Sequence, residues 1–228
     1  MRLSITDWLG WEFIEIGLEA PGGGNATEQA RAMFASCSDT LSALGLSLDD
    51  TVRSRLWAVD RASRDAGSDM RFEALSGKAR SASSSYICPS HFASDVLVGI
   101  DVIAVRPQAG AEKYVRENDP LRVPCRYITQ GSLIVLSGQT VVLPNLEIQV
   151  TTDILPRITG YLGEANSGWE RVANVSCYMH RSQSPDEMRA LFKRMVPVAV
   201  PRFEICLVDG YSAEGKLVEI EVTAERGA

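Results

Sequence analysis

Hydrophobic positions in this chain fall into short strand-like runs separated by stretches of helical spacing, and the order recurs. In the first half, Phe13-Ile14-Glu15-Ile16-Gly17-Leu18 predicts a strand that ends before Pro21-Gly22-Gly23-Gly24. Asn25, three residues before Glu28, predicts a helix N-cap with its reciprocal partner. Ala30, Met33, Phe34, Cys37, Leu41 and Leu44 follow at helical spacing, with Gly45 as the stop. Residues 52–59 alternate as a half-buried strand does, 68–75 predicts a short helix, and 81–88 and 96–105 predict two more strands. In the second half, 127–129 and 133–139 predict strands. Residues 147–164 predict a helix that Pro156 should kink or open. A strand over 172–180 precedes a helix begun by Ser184-Pro185-Asp186-Glu187, where Pro185 takes a favourable first position. Residues 203–208 and 216–223 close the half as strands.

The two series superpose. Phe13-Ile14-Glu15-Ile16-Gly17-Leu18-Glu19 matches Leu133-Ile134-Val135-Leu136-Ser137-Gly138-Gln139, and Glu28-Gln29 matches Ile148-Gln149 at the same distance. Ala79-Arg80-Ser81 matches Pro201-Arg202-Phe203, and the run starting at Val98 matches the one starting at Val218. Residues 106–125 carry turn chemistry and charge, which predicts one unit over 1–106, a linker over 107–125 and a second unit over 126–228. The expected class is α+β, each unit a mixed sheet with two helices on one face and the second opened by an extra strand. Ile134, Leu136, Ile205 and Leu207 are expected on the other sheet face, which would then need covering by another copy of the unit.

Composition narrows the function. The 228 residues have a net charge of −6 and no concentrated Lys/Arg stripe, which argues against a nucleic-acid partner or an anionic membrane surface. No signal peptide and no apolar run of spanning length is read, so cytoplasmic residence is the expectation. Five cysteines (37, 88, 125, 177 and 206) without a Cys-x-x-Cys pair predict buried, inert thiols. With His91 and His180 alone, a His-rich metal site is not expected. Gly22-Gly23-Gly24 lacks the Lys-Ser/Thr of a phosphate loop and is read as a plain loop. Trp8, Trp11, Trp57 and Trp169 are read as core or interface anchors.

Arg80 and Arg202 precede strands in both halves, and a guanidinium fork suits a planar carboxylate or enolate. Glu219 lies on a strand where partial burial would let it shuttle protons near neutrality. Glu219 and Glu221 both alternate with apolar residues, so one of them could be only the wet side of a strand. Ser137, beside Gly138, can donate a hydrogen bond where a ligand approaches the backbone, or merely end a strand. Tyr86, Tyr178 and His180 fall on strands near the expected cleft, with packing as their alternative role.

In order and spacing, the strand ending in Ser137-Gly138-Gln139 and the stretch from Pro201-Arg202 to Val218-Glu219-Ile220-Glu221-Val222-Thr223-Ala224 resemble the RidA/YjgF/YER057c/UK114 family. The likeness covers about residues 126–226 and, more weakly, about 10–106. It implies a tandem pair of chorismate-mutase-like units that assemble with clefts between adjacent units, and hence a homo-oligomer, a dimer or trimer of two-unit chains. It also implies hydrolysis of enamines or imines without a metal or cofactor. The arginine matching Arg202 would grip a carboxylate, and the glutamate matching Glu219 would activate water. The first half departs from that pattern with Gly17, Glu19 and Gly99 where the second has Ser137, Gln139 and Glu219. In the second half, Phe203 and Glu204 follow the arginine, and Glu204 could pair with Arg202. Such asymmetry fits a larger, unstable amino-ketone better than a three-carbon enamine, and it resembles ring-forming RidA-like proteins of natural-product pathways. Cyclisation with loss of water is therefore the first expectation. Enamine/imine hydrolysis, and ligand binding or chaperone-like action without chemistry, are the alternatives. A related fold serves chorismate-cleaving enzymes, for which this chain is short.

Overall fold

A computed structural model describes residues 1–121 and 124–227. The chain divides into two compact units, Met1–Glu112 and Lys113–Ala228.

The first unit runs β1 (Arg2–Trp8), β2 (Trp11–Glu19), α1 (Ala26–Ala43), β3 (Thr51–Ala58), α2 (Arg61–Ala74), β4 (Ala82–Ile87) and β5 (Val98–Val105). Its sheet has the order β1-β2-β5-β3-β4, with β3 and β4 parallel and the other neighbours antiparallel. The expected capping box forms: Asn25 accepts from the Glu28 amide and Glu28 accepts from the Asn25 amide. Such a cap stabilises a helix by about 1 kcal/mol. Met33, Phe34, Cys37 and Leu41 on α1 pack with Ile14, Ile16, Leu56, Ile100 and Val102 into one core. Gly67 lets α2 sit close on the sheet, since a Cβ there would stand 3.1 Å from Leu56 and 3.2 Å from Val98.

The second unit runs β6 (Lys113–Arg116), β7 (Tyr127–Gln130), β8 (Leu133–Gln139), α3 (Leu146–Ile148), a π-helical turn (Gln149–Ile154), α4 (Leu155–Glu164), β9 (Val172–His180), α5 (Pro185–Met195), β10 (Arg202–Val208) and β11 (Val218–Glu225). Its sheet order is β10-β9-β11-β8-β7-β6. Leaving β6 aside, this is the first unit's topology, strand for strand. The doubled sequence pattern thus corresponds to a doubled fold. Pro156 lies in the first turn of α4, directly after the π-helical turn.

One interaction recurs in both units and explains a matched residue. Gln29 on the first long helix accepts a hydrogen bond from the Leu97 amide at 2.8 Å, just before β5. Gln149 accepts from the Leu217 amide at 3.0 Å, just before β11. Both glutamines are buried, and each ties its helix to the entry of the closing strand.

Several expectations need correction. The first unit opens with β1, which the sequence reading passed over; every residue from Arg2 to Asp7 is exposed, so the strand has no buried face to reveal it. Leu9 and Gly10, at φ 51° and 75°, turn it back into β2. The extra strand of the second unit is accordingly β6, which lies inside the stretch expected as linker and pairs with β7. Helix α2 begins at Arg61 rather than residue 68, capped by Asp60, which accepts from the Ser63 amide. Ile134 and Leu136 face the helices in the second unit's core, and Ile205 packs against that core. Leu207 alternates with Ile205 and pairs with Met179 of the core, so it shares that side. The second sheet face is mixed rather than bare: Ile128, Leu133 and Val135 are buried there beside Ser137, Ser176, Glu219 and Glu221, so it does bury apolar residues, though not the four expected.

Candidate functional site

The polar part of that face in the second unit begins with an irregularity in β8. Between the pairs Gln139↔Ile220 and Leu136↔Val222, two residues of β8, Ser137 and Gly138, oppose the single residue Glu221. Such a bulge re-aims side chains. Here it places Gly138 beneath Glu219: a Cβ at Gly138 would stand 1.9 Å from Glu219 Oε1 and 2.7 Å from its carboxyl carbon. Glu219 thus occupies room that only a glycine leaves open.

Cross-strand register builds the rest. Glu219 pairs with Tyr178, and Tyr178 with Cys206; Glu221 pairs with Ser176, and Ser176 with Glu204. Thr223 pairs with Asn174, and Asn174 with Arg202. Glu219 and Glu221 are 5% and 1% exposed, so neither is a solvated strand face. Buried carboxyls are retained where partners hold them, and Ser137, Ser176, Tyr178 and Thr223 bring hydroxyls to the same buried face. Ser137 is fully buried; its amide donates to the Arg126 carbonyl at 3.1 Å, and its Oγ lies 3.6 Å from Cys125 Sγ. The Gln139 amide folds back onto the Ser137 carbonyl at 2.8 Å.

Tyr211, which sequence reasoning missed, lies behind this row. Its hydroxyl donates to the Tyr178 carbonyl at 3.0 Å. Burial, and then the nearby Glu219 carboxylate, push its ionisation well above the usual tyrosine range. His180 ends β9 with Nδ1 2.7 Å from Ser182 Oγ.

The expected residues are not gathered at one point. Glu219, Ser137 and Tyr178 lie together in the buried part of the face. Arg202 and Glu204 are exposed on the edge strand β10. From Glu219, Arg202 is two strands across and four residues along, on the order of 16 Å between Cα atoms from strand geometry. Arg80 is partly buried where the first unit's chain enters β4.

The corresponding face of the first sheet has its own polar cluster, and the sequence reading singled out none of it for chemistry. Register runs Arg2–Gly17–Asp101–Arg55 across four strands. Arg2 Nη2 donates to Asp101 Oδ1 at 3.2 Å, and Trp57 Nε1 donates to Asp101 Oδ2 at 2.7 Å. His91 stacks on Trp57 with centroids 4.0 Å apart and planes 8° from parallel. The two glycines that mark this unit's departure make the space: a Cβ at Gly17 would meet Arg2 and Asp101 at 3.0 Å, and one at Gly99 would meet Phe92 at 3.0 Å. Arg2 and Asp101 are 99 residues apart in sequence, so no motif links them. Among the described residues no group of His, Cys, Asp and Glu could hold a metal ion, and no helix is long and apolar enough to cross a membrane.

No protein-family model matches this sequence, and no curated protein matches it in sequence. Solved structures do. A chorismatase is 14% identical with a TM-score of 0.65, over 98% of this chain and 79% of that one. The chain has a chorismatase-like fold. A YjgF/YER057c/UK114 family member from Mycobacterium tuberculosis is 24% identical, TM-score 0.45, over 50% of this chain and 99% of its own. A YjgF-family protein from Neisseria meningitidis is 19% identical, TM-score 0.46, over 52% and 98%. The chorismatase-like fold spans both units, and its shorter length here did not exclude that likeness.

Proposed function

We propose that the chain is a small-molecule enzyme whose second unit uses Glu219 for proton transfer on a reactive amino-ketone or imine-type intermediate, closing a ring with loss of water. The observation that carries this is the buried Glu219 carboxylate, seated over Gly138 beside Tyr178 and Ser137. In the proposed step the substrate nitrogen attacks the carbonyl carbon. Glu219 carries one proton from the nitrogen to the oxygen, giving a carbinolamine, and then a second from the nitrogen to the hydroxyl, which leaves as water as the C=N bond forms. Proton transfer and enclosure suffice for this step, so no metal or cofactor is invoked. Arg202 would hold a carboxylate or carbonyl at a distance. Its separation from Glu219 suits a substrate longer than a three-carbon enamine, which favours cyclisation over simple hydrolysis. Ser137 would donate to the substrate, with Tyr178, His180 and Glu204 as binding contacts in the same unit; Arg80 would bind a ligand within the first unit. A cytoplasmic homo-oligomer belongs to the same proposal, and sedimentation of the purified chain tests the assembly.

The test is turnover of a linear amino-ketone model compound, followed by mass spectrometry for loss of one water. Acceleration that falls at least about tenfold in Glu219→Gln, with unchanged circular dichroism, supports the proposal. Unchanged turnover in that variant removes Glu219 from the reaction. Release of ammonia from 2-aminoacrylate, without ring closure, would replace cyclisation by hydrolysis. Ligand binding without turnover of either compound would leave a binding protein. The neighbour's name favours one further reading, consumption of chorismate, which the loss of chorismate absorbance with this chain would reveal.

A further inference from the structure

The first unit holds a pocket of about 480 Å³ lined by Arg2, Gly17, Glu19, His91 and Asp101, with Met1, Leu18 and Ala93 completing the wall. That volume suits a small organic molecule. Its carboxylates and imidazole are held in place but not saturated, and the Arg2 side chain, 76% exposed, reaches over them. Among the described residues Arg2 makes one hydrogen bond, from Nη2 to Asp101, which leaves the other guanidinium donors to a ligand. Half-buried His91 has no hydrogen bond to either ring nitrogen among the described residues, and its stacking on Trp57 fixes the ring. Burial holds its protonation below the ordinary imidazole range, against the opposing pull of Asp101, so it offers one donor and one acceptor near neutrality. The Ala93 amide at 2.8 Å and the Ser94 hydroxyl hold Glu19 in place and lower its pKa, so it is ionised. Each carboxylate oxygen retains a further lone pair.

The wall carries both signs of charge. Arg2 is positive; Asp101 and Glu19 are negative; His91 is neutral. A simple anion or a simple cation would meet repulsion as well as attraction. A molecule bearing both kinds of group meets its complement at each end.

We propose that this pocket binds an amphoteric small molecule, an amino acid or amino-ketone, with its carboxylate or carbonyl oxygen on Arg2 and its protonated amine on Glu19 and Asp101. His91, on the same wall, offers a hydrogen bond to either polar group of the ligand. The site is independent of the proton-transfer role assigned to Glu219.

Calorimetric titration of the full chain with phenylalanine, phenethylamine and 3-phenylpropionate tests this. Phenylalanine should bind at least about tenfold tighter than either fragment. Arg2→Ala should weaken phenylalanine and 3-phenylpropionate but leave phenethylamine unchanged. Glu19→Gln should weaken phenylalanine and phenethylamine but leave 3-phenylpropionate unchanged. Should Glu19→Gln fail to fold, Asp101→Asn makes the same test while keeping an oxygen for Trp57 Nε1. The proposal is overturned if none of the three probes binds up to about 10 mM, if the fragments bind as well as phenylalanine, or if the variants act on the wrong probe.

Discussion

Glu219 rests on Gly138 so closely that the space a methyl group would need is already occupied, with Cβ-to-Oε1 and Cβ-to-Cγ separations of 1.9 and 2.7 Å. The whole carboxyl arm, not its tip alone, would have to move to admit a side chain, and at 5% exposure it has little room. Gly138→Ala is therefore expected to displace the carboxylate and to cost about 1–3 kcal/mol through overpacking. Urea denaturation reads the stability. If Glu219 moves protons, turnover of the amino-ketone compound falls more than the stability loss explains. A variant with wild-type stability and turnover would show that Glu219 relaxes freely.

Tyr211 supports the same row from behind. Tyr211→Phe removes a buried donor to the Tyr178 carbonyl, with an expected loss of about 1–2 kcal/mol. Its pH dependence has a definite sign. The folded ionisation lies above the ordinary 10.0, so the contribution is fully present below about pH 10 and is lost as pH rises through the folded value. Wild type should lose stability more steeply than Tyr211→Phe above about pH 10. Parallel stability curves through that range would show that burial does not hold the phenol neutral.

Much of this architecture was legible in the sequence because local and global signals agreed. The Asn25–Glu28 cap, the matched Gln29 and Gln149, and the strands over Leu133–Gln139 and Val172–His180 are written in short-range patterns. The candidate carboxylate Glu219 was legible for the same reason, as a charged residue in an apolar strand. Illegible features depend on who the neighbour is. Strand β1 is exposed from Arg2 to Asp7, and β6 is four residues long with half-buried Lys113 and Val115 alternating with exposed Tyr114 and Arg116, a burial pattern that does not follow hydrophobicity. The assignment of Ile134 and Leu136 to the wrong sheet face follows from the same limit, because period two separates the faces without saying which one the helices cover. The bulge at Ser137–Gly138 and the meeting of Arg2 and Asp101 arise only from strand register, and His91 joins them by stacking on Trp57.

Glu19 gives an acid-side counterpart to Tyr211. The Ala93 amide and the Ser94 hydroxyl hold its ionisation below the ordinary 4.5. A lowered carboxylate stabilises the fold fully above about pH 4.5, and this is lost as pH falls through the folded value. The stability difference between wild type and Glu19→Gln should therefore be constant above about pH 5 and shrink below about pH 4. Urea midpoints across that range measure it. A difference that grows on acidification would contradict the carboxylate's role in anchoring Ala93 and Ser94.

The thiols provide a direct test of the two cores. Cys37, Cys88, Cys125 and Cys177 are buried and Cys206 is exposed on the edge strand β10. Burial pushes the Cys37 thiol up to about 12 and raises Cys177 as well, so both stay protonated and unreactive near neutral pH. In native protein an aromatic disulfide reagent should titrate one thiol rapidly, and Cys206→Ser should abolish that phase. The remaining four should react only as fast as the protein opens, and together once it is unfolded in urea. Rapid modification of Cys37 in the folded protein would mean that α1 leaves its sheet readily, and rapid modification of Cys177 would say the same of the second core.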